Sequence, residues 1–270
     1  MIEHLKELWT YRELVYNLVL RDLKVRYKNS VLGVVWSWLN PLLMMLVFTL
    51  VFDVLKLARQ DIANYHIFFL SAFLPWTFFA SSVMGGIPSV VSSGHLVKKV
   101  YFPREILPIS VVLSNMVNFV VSLPVLFVLA LLFRHPFTAA VLWLPIPIFI
   151  EMMFAMGIVL VLSTLEVFYR DTHMLMDPVI QAWFFVTPVV YSIWDLPQTA
   201  TLFTFTFNPQ KMLFWLNPLA SITNTYQDIL YHGVLTNLDF LTRTAVTAFL
   251  MLVFGYWFFR RFSHKFGEMV

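Results

Sequence analysis

The chain has 270 residues, of which 60% are hydrophobic and 12% are charged, and its formal net charge is +3. Soluble domains carry about 25% charged residues, so this composition, with its long uncharged runs, excludes a soluble globule and indicates a membrane protein. The absence of cysteine excludes a disulfide framework, and cations that lie between the apolar runs favour lipid over nucleic acid as their partner.

Residues 1–30 have the pattern of an amphipathic helix. Apolar side chains share one face and cations share the other, which is typical of a helix that lies in the membrane interface. A cytosolic helix packed on a partner is the alternative. This stretch is too long to be the n-region of a cleavable signal peptide. The residues that we expect at the interface are Arg21, Lys24, Arg26, Tyr27 and Lys28.

Six apolar stretches follow, and a transmembrane helix needs about 20 residues. Asp177-Pro178 marks the predicted start of the fifth span, because an N-cap followed by proline suits a helix start. The region 195–239 contains two apolar stretches that prolines break and that are too short to span, so it predicts re-entrant or interfacial segments. The predicted spans are residues 31–52, 65–91, 106–133, 148–168, 179–194 and 244–259.

The sequence therefore predicts an all-α membrane protein with an interface helix at 1–30 and a six-span transmembrane domain at 31–270. Most of the 18 lysines and arginines lie in the terminal segments and in the loops that share their side. Because cytoplasmic loops carry an excess of cations, we expect both termini in the cytoplasm. The segment 195–239 then lies outside, with short re-entrant helices before the last span.

The sequence contains no recognisable catalytic motif. It has no phosphate loop for ATP and no histidine spacing for a metal, so we expect no metal, cofactor or catalytic residue in this chain. Glu151 and Glu166 fall inside a predicted span, and an intramembrane acid is by default a functional hypothesis. Both lie near the span's ends, where snorkelling or pairing with Arg170 would satisfy them, and a role in a proton relay is the alternative.

The loop at residues 92–105 is the best candidate for contact with a partner. It is basic and is bounded by Gly94 and Pro103, which suits a short helix that docks into another chain. The alternative is that its aromatic residues anchor the loop to lipid head groups. Its candidate contact residues are Leu96, Val97, Lys98, Lys99, Val100, Tyr101, Phe102 and Arg104, with Tyr169, Arg170 and Asp171 next in line.

Four motifs resemble those of the ABC-2 type permeases that export polysaccharides. They are residues 21–33 continuing to Asn40-Pro41-Leu42, residues 96–105, Tyr169-Arg170-Asp171, and Leu216-Asn217-Pro218-Leu219. The motifs occur in the family's order, and the resemblance covers nearly the whole chain. One departure is the stretch 199–210, which is longer than expected and bears on the shape of the outer vestibule.

The resemblance implies a homodimer with two copies of a cytoplasmic ATPase chain that binds ATP and Mg²⁺. It also implies a substrate polymer carried on undecaprenyl diphosphate in a bacterial cytoplasmic membrane. Wall teichoic acid and O-antigen are both expected as polymers, with a slight preference for teichoic acid. The loop at 92–105 would insert into a groove of the ATPase.

In this family the first and fifth spans line the translocation path. Aromatic rings stack on sugar faces, although a belt of rings that faces lipid is the alternative for each residue. The rings that we expect on the path are Trp36, Phe48, Phe52, Trp183, Phe184 and Tyr191. A membrane-embedded transferase and an ion-coupled transporter are the competing functions. The first needs clustered acids or histidines, and the second needs ionisable residues at the midplane, which the sequence lacks.

Overall fold

The computed structural model describes residues 10–28, 30, 32–54, 62–99, 101–202 and 205–270. Residues 1–9 of the predicted interface helix, Val100 and the side chain of Tyr27 lie outside the described part. The helices are α1 (Arg12–Tyr27), α2 (Trp36–Thr49), α3 (Tyr65–Gly86), α4 (Ser89–Ser92), α5 (Gly94–Lys99), α6 (Ile106–Leu132), α7 (Pro145–Phe168), α8 (Thr172–Val186), α9 (Pro209–Leu216), α10 (Pro218–Gln227), α11 (Leu238–Ser263) and α12 (Phe266–Met269).

Within the described residues, five helical segments are long and apolar enough to cross a membrane. They correspond to the first four predicted spans and the last one, so the membrane character and the helical class of the chain are confirmed. The segments are Gly33–Phe52, Tyr65–Gly86, Ile106–Leu132, Ala139–Phe168 and Leu238–Ser263. The second is shorter than predicted because α3 ends two residues before Pro88, and only the single turn α4 follows.

The fifth predicted span, residues 179–194, differs most from the structure. The helix there, α8, has 15 residues and begins at Thr172, with Asp171 at the N-cap position. The predicted start at Asp177 was therefore wrong, and Pro178 lies inside the helix. The helix ends because Thr187 precedes Pro188, and a residue before proline is driven out of the helical region.

Helix α3 forms the centre of the bundle. Most of its side chains are buried, and α6, α7 and α10 pack around it. A Cβ added at Gly86 would meet Val159 Cγ1 of α7 at 2.3 Å, so the two helices approach each other closely. The contact of α7 with α11 is closer still, because a Cβ at Gly255 would lie 2.2 Å from the carbonyl oxygen of Gly157. Small residues allow such close packing of helices in membranes.

The region between α8 and α11 contains strand as well as helix. Residues Ala200–Leu202 (β1) and Phe205–Phe207 (β2) form an antiparallel pair, where the sequence predicted a re-entrant segment in a helical chain. The second apolar stretch does form short helices, α9 and α10, and a π-helical turn follows at Asp228–His232.

Helix α1 runs beside the first part of α6 rather than crossing it. Leu18 shares a buried cluster with Ile106 and Leu107, and eight residues later on both helices Arg26 donates to Asn115 Oδ1 at 2.8 Å. Eight residues rise about 12 Å, so α1 follows α6 over roughly that distance. The described part of residues 1–30 is thus a helix that packs on α6 of its own chain, and its place at the membrane interface stays a prediction.

Candidate functional site

The candidate partner loop is tied to the bundle by a buried cluster at the end where α1 and the C-terminal helix α12 lie. Val97 and Phe102 are 6% and 8% exposed, and they share one hydrophobic cluster with Phe259 and Phe266 of the last two helices. Phe266 is fully buried, with its ring 5.2 Å from that of Phe259. Val97 and Phe102 therefore point into this chain and are not available to fill a groove on another protein.

The end of α11 and the tail that follows it hold both candidate partner loops together. Arg170 Nη2 donates to Met269 O at 3.2 Å, and the guanidinium of Arg104 donates to Ser263 O. A Cβ at Gly94 would lie 2.5 Å from Val270 Cγ1, so α5 rests directly on the tail. We call this assembly, formed by α5, residues 101–105, residues 169–171 and α12, the platform.

The platform presents an exposed surface that is rich in cations. Tyr101 is 87% exposed and Tyr169 is 65% exposed. Lys98, Lys99, Arg170 and Asp171 are also exposed, whereas Leu96 and Arg104 are half-buried. The described residues of the predicted set thus divide into apolar anchors inside the chain and polar or aromatic residues that face outward.

Three of the six predicted path rings form one aromatic cluster. Phe48 of α2 lies 4.8 Å from the ring of Phe69, 5.9 Å from Phe52 and 5.9 Å from Phe184 of α8. Phe184 also meets Trp76 edge-on at 5.5 Å. The first and fifth predicted spans therefore contact each other through Phe48 and Phe184, and both rings pack on aromatic side chains of α3.

The other three path rings make other contacts. Trp183 packs on Phe79 at 5.4 Å, and its indole nitrogen donates to Asn217 Oδ1 at 2.9 Å. The hydroxyl of Tyr191 donates to backbone carbonyls at the end of α8. Trp36 is 46% exposed and lines a cavity that has both polar and apolar walls.

Asn217 explains the Asn-Pro motif in structural terms. Its Oδ1 accepts from Trp183 Nε1 and from the backbone nitrogen of Leu219, and its Nδ2 donates to Thr187 Oγ1 at 3.0 Å. One buried side chain therefore caps α10 and fixes the end of α8 to it.

The two intramembrane acids have local partners within the described residues. Glu151 is 1% exposed, and its Oε2 accepts from the hydroxyl of Tyr226 at 2.8 Å. Glu166 Oε2 accepts from the backbone nitrogen of His173 at 2.9 Å, so it caps the start of α8 across the platform loop. Neither acid pairs with Arg170, which binds the tail instead.

Asp228 lies in the π-helical turn that leads towards α11. Its Oδ2 accepts from Asn224 Nδ2 at 3.0 Å and from Thr236 Oγ1 at 2.7 Å. Burial raises the pKa of its carboxyl above the ordinary value, while the bond from Thr236 opposes that rise. Through its bond with Thr236, this carboxyl connects the π-helical turn to the segment just before α11.

The site is built from packing contacts and hydrogen bonds between helices and loops. No group of three His, Asp or Glu side chains comes close enough to hold a metal ion among the residues that the structure describes. The C-terminal tail was not identified from the sequence as part of this site. The spacing of Phe259, Phe262 and Phe266 at i, i+3 and i+7 is the signal that could have revealed the buried face shared by the end of α11 and the tail.

Comparison with known proteins gives consistent matches along the chain. The profile of the ABC-2 type transporter family matches residues 13–231. The chain is 34% identical to the O-antigen export system permease protein RfbA of Myxococcus xanthus over 270 residues, which cover all of both chains. It is 30% identical to the O-antigen export system permease protein RfbA of Klebsiella pneumoniae over 253 residues, 93% of this chain and 92% of that protein.

Proposed function

This chain belongs to the ABC-2 type transporter family, and from that membership we propose that it is the permease subunit of an ATP-driven exporter of a lipid-linked polysaccharide. The full-length similarity to a permease named for O-antigen export carries the proposal. The polymer is of the O-antigen type rather than teichoic acid, because two relatives from different organisms are named for that substrate. Undecaprenyl diphosphate is the proposed carrier lipid, and the bacterial cytoplasmic membrane is the site of action.

The energy for transport comes from a separate ATPase chain in this proposal. The sequence contains no phosphate loop, so ATP and Mg²⁺ bind the partner. Two copies of that partner dock on the platforms of a permease homodimer. The exposed Tyr101 and the neighbouring Lys98 and Lys99 support this docking, because an aromatic anchor with cations beside it suits a protein interface.

The proposed homodimer covers apolar faces that one copy leaves exposed. Leu46 and Val47 of α2 are 59% and 51% exposed, and Leu175 and Phe185 of α8 are 63% and 66% exposed. Lipid or a second copy must cover such faces. The Phe48 cluster lies beside these same helices, which supports a path for sugars between the two copies.

The orientation is part of the same proposal. We place the platform and both termini in the cytoplasm, where the excess of cations belongs. The region from the antiparallel pair β1 and β2 to α10 then lies on the outer side of the membrane. Re-entrant helices in this region remain our prediction.

Depletion of this chain in its source organism tests the proposed function. Surface polysaccharide should disappear and lipid-linked polymer should accumulate inside the cells, as shown by immunoblots of surface and internal fractions. Re-expression of the chain should restore export. Undiminished surface polymer after depletion would contradict the proposal.

A biochemical test addresses the energy source. The chain purified alone should hydrolyse no ATP, and the complex that it forms with its ATPase chain should hydrolyse ATP. ATP hydrolysis by the isolated permease would show that the proposed assignment of ATP hydrolysis to a separate chain is wrong.

A further inference from the structure

Two cavities of different chemistry meet on the face of α6 that α1 and α2 cover. The first has a volume of about 920 Å³ and the second about 470 Å³. Asn118 lines both of them, and its Oδ1 accepts from Ser37 Oγ at 2.8 Å. The two cavities are therefore neighbours across a single side chain.

The first cavity combines cations with an apolar wall. Arg21, Lys24 and Lys28 line it together with the apolar side chains of Leu20, Val117 and Val121. Arg21 is partly neutralised by Asp22, 3.1 Å away. Lys24 and Lys28 are exposed and have no ion pair within the described part of the chain. This combination fits a molecule with a phosphate group and a hydrocarbon chain.

The second cavity has both polar and apolar walls, and Arg26 is the one charged residue among the described residues of its lining. Asn40, Thr77, Asn115 and Ser122 offer amides and hydroxyls, and aromatic rings come from Trp36, Phe73, Phe78 and Phe119. Amides, hydroxyls and an indole face suit sugar hydroxyls and the apolar face of a sugar ring. A phospholipid acyl chain has no group that would use them.

Arg26 also lines the second cavity. Its guanidinium donates to Asn115 Oδ1 at 2.8 Å. A guanidinium has five N–H donors, so Arg26 can donate further hydrogen bonds to sugar hydroxyls in that cavity.

We propose that the two cavities together bind the head of a polyprenyl diphosphate-linked sugar. The diphosphate lies beside Lys24 and Lys28, the isoprenoid chain follows the wall of Val117 and Val121, and the first sugars enter the cavity of Asn40. The inference rests on the proposed function, because it names the place on this chain where the lipid-linked substrate docks. A ligand with all three parts uses all three linings, which an anionic phospholipid does not.

The test measures binding to the full-length chain in phosphatidylcholine nanodiscs. The probes are undecaprenyl diphosphate N-acetylglucosamine, undecaprenyl diphosphate without sugar, and phosphatidylglycerol, detected by native mass spectrometry. The variant with Lys24→Gln and Lys28→Gln should bind both diphosphates at least about tenfold more weakly, because it loses two charge-assisted contacts. Asn40→Leu should weaken only the sugar-bearing probe. Arg261→Gln removes an exposed cation far along the chain and should leave binding unchanged.

The outcomes separate this site from the proposed function. Equal binding by wild type and both variants overturns the site, and so does phosphatidylglycerol that competes as well as the sugar-bearing probe. If depletion abolishes export while the variants bind normally, the function stands and the site is wrong. If surface polymer survives depletion but binding depends on Lys24 and Lys28, the site stands and the export function fails.

Discussion

Phe102 and Tyr101 are adjacent in the sequence, and the structure gives them opposite roles. Phe102 is 8% exposed and packs with Val97 and Phe266, so Phe102→Ala removes a ring from the cluster that holds the platform. Phenylalanine to alanine in a core costs about 3–5 kcal/mol. Because the ring is not fully buried, we expect about 3 kcal/mol, the lower end of that range.

Tyr101→Ala is the matched variant one residue away. Tyr101 is 87% exposed, so its loss should change the free energy of unfolding by less than about 0.5 kcal/mol. If the Tyr101 side chain anchors the ATPase, its removal should weaken binding of the ATPase by about 1–4 kcal/mol, the range of interface hot spots.

The assay follows thermal unfolding of the purified chain and, separately, co-purification of the ATPase. At about 2–4 °C per kcal/mol, Phe102→Ala should lower the Tm by roughly 6–12 °C, whereas Tyr101→Ala should leave the Tm unchanged and reduce the bound ATPase. The division of roles is refuted if Tyr101→Ala lowers the Tm as much as Phe102→Ala does. It is also refuted if Tyr101→Ala binds the ATPase as well as wild type, since the platform aromatics would then not carry the docking.

Four further expectations follow from other contacts. Gly255→Val should abolish a monodisperse folded protein in size-exclusion chromatography, because a Cβ there would lie 2.2 Å from Gly157 O. Glu166→Ala should cost about 0.5–2 kcal/mol in thermal unfolding through the lost cap of α8; an unchanged Tm would remove that role. Thr199→Cys should be labelled from outside intact cells by a membrane-impermeant maleimide, and labelling only after lysis would invert the topology. Phe184→Ala should reduce export while assembly stays normal, and full export would place that ring outside the path.

The long apolar helices were predictable because their signal is local. A run of about 20 apolar residues is enough to define a membrane helix, and the bounds of α6 differ from the prediction at residue 133 alone. The fifth span was harder, because the apolar stretch at 179–194 continues through Pro188. The restriction that a proline places on the residue before it, Thr187, decides where α8 ends.

The position of the platform was predictable from the sequence, but the orientation of its aromatic side chains was not. Its position in the loop at 92–105 follows from charge and from Gly94 and Pro103, but the sequence does not say which aromatic residue turns inward. That choice depends on Phe266, which lies more than 150 residues away in the chain, and on the packing of the tail. Long-range packing of this kind leaves no local pattern that a single sequence displays.

Helix α7 connects the parts of the chain that the motifs identify separately. At one end Glu166 caps α8 beside the platform, and in the middle Gly157 meets α11 backbone to backbone. Near the other end Glu151 accepts from Tyr226 of α10. The two acids are 15 positions apart, about 22 Å along the helix. Because these three contacts all lie on one helix, α7 joins the platform, α11 and α10 in a single packed unit.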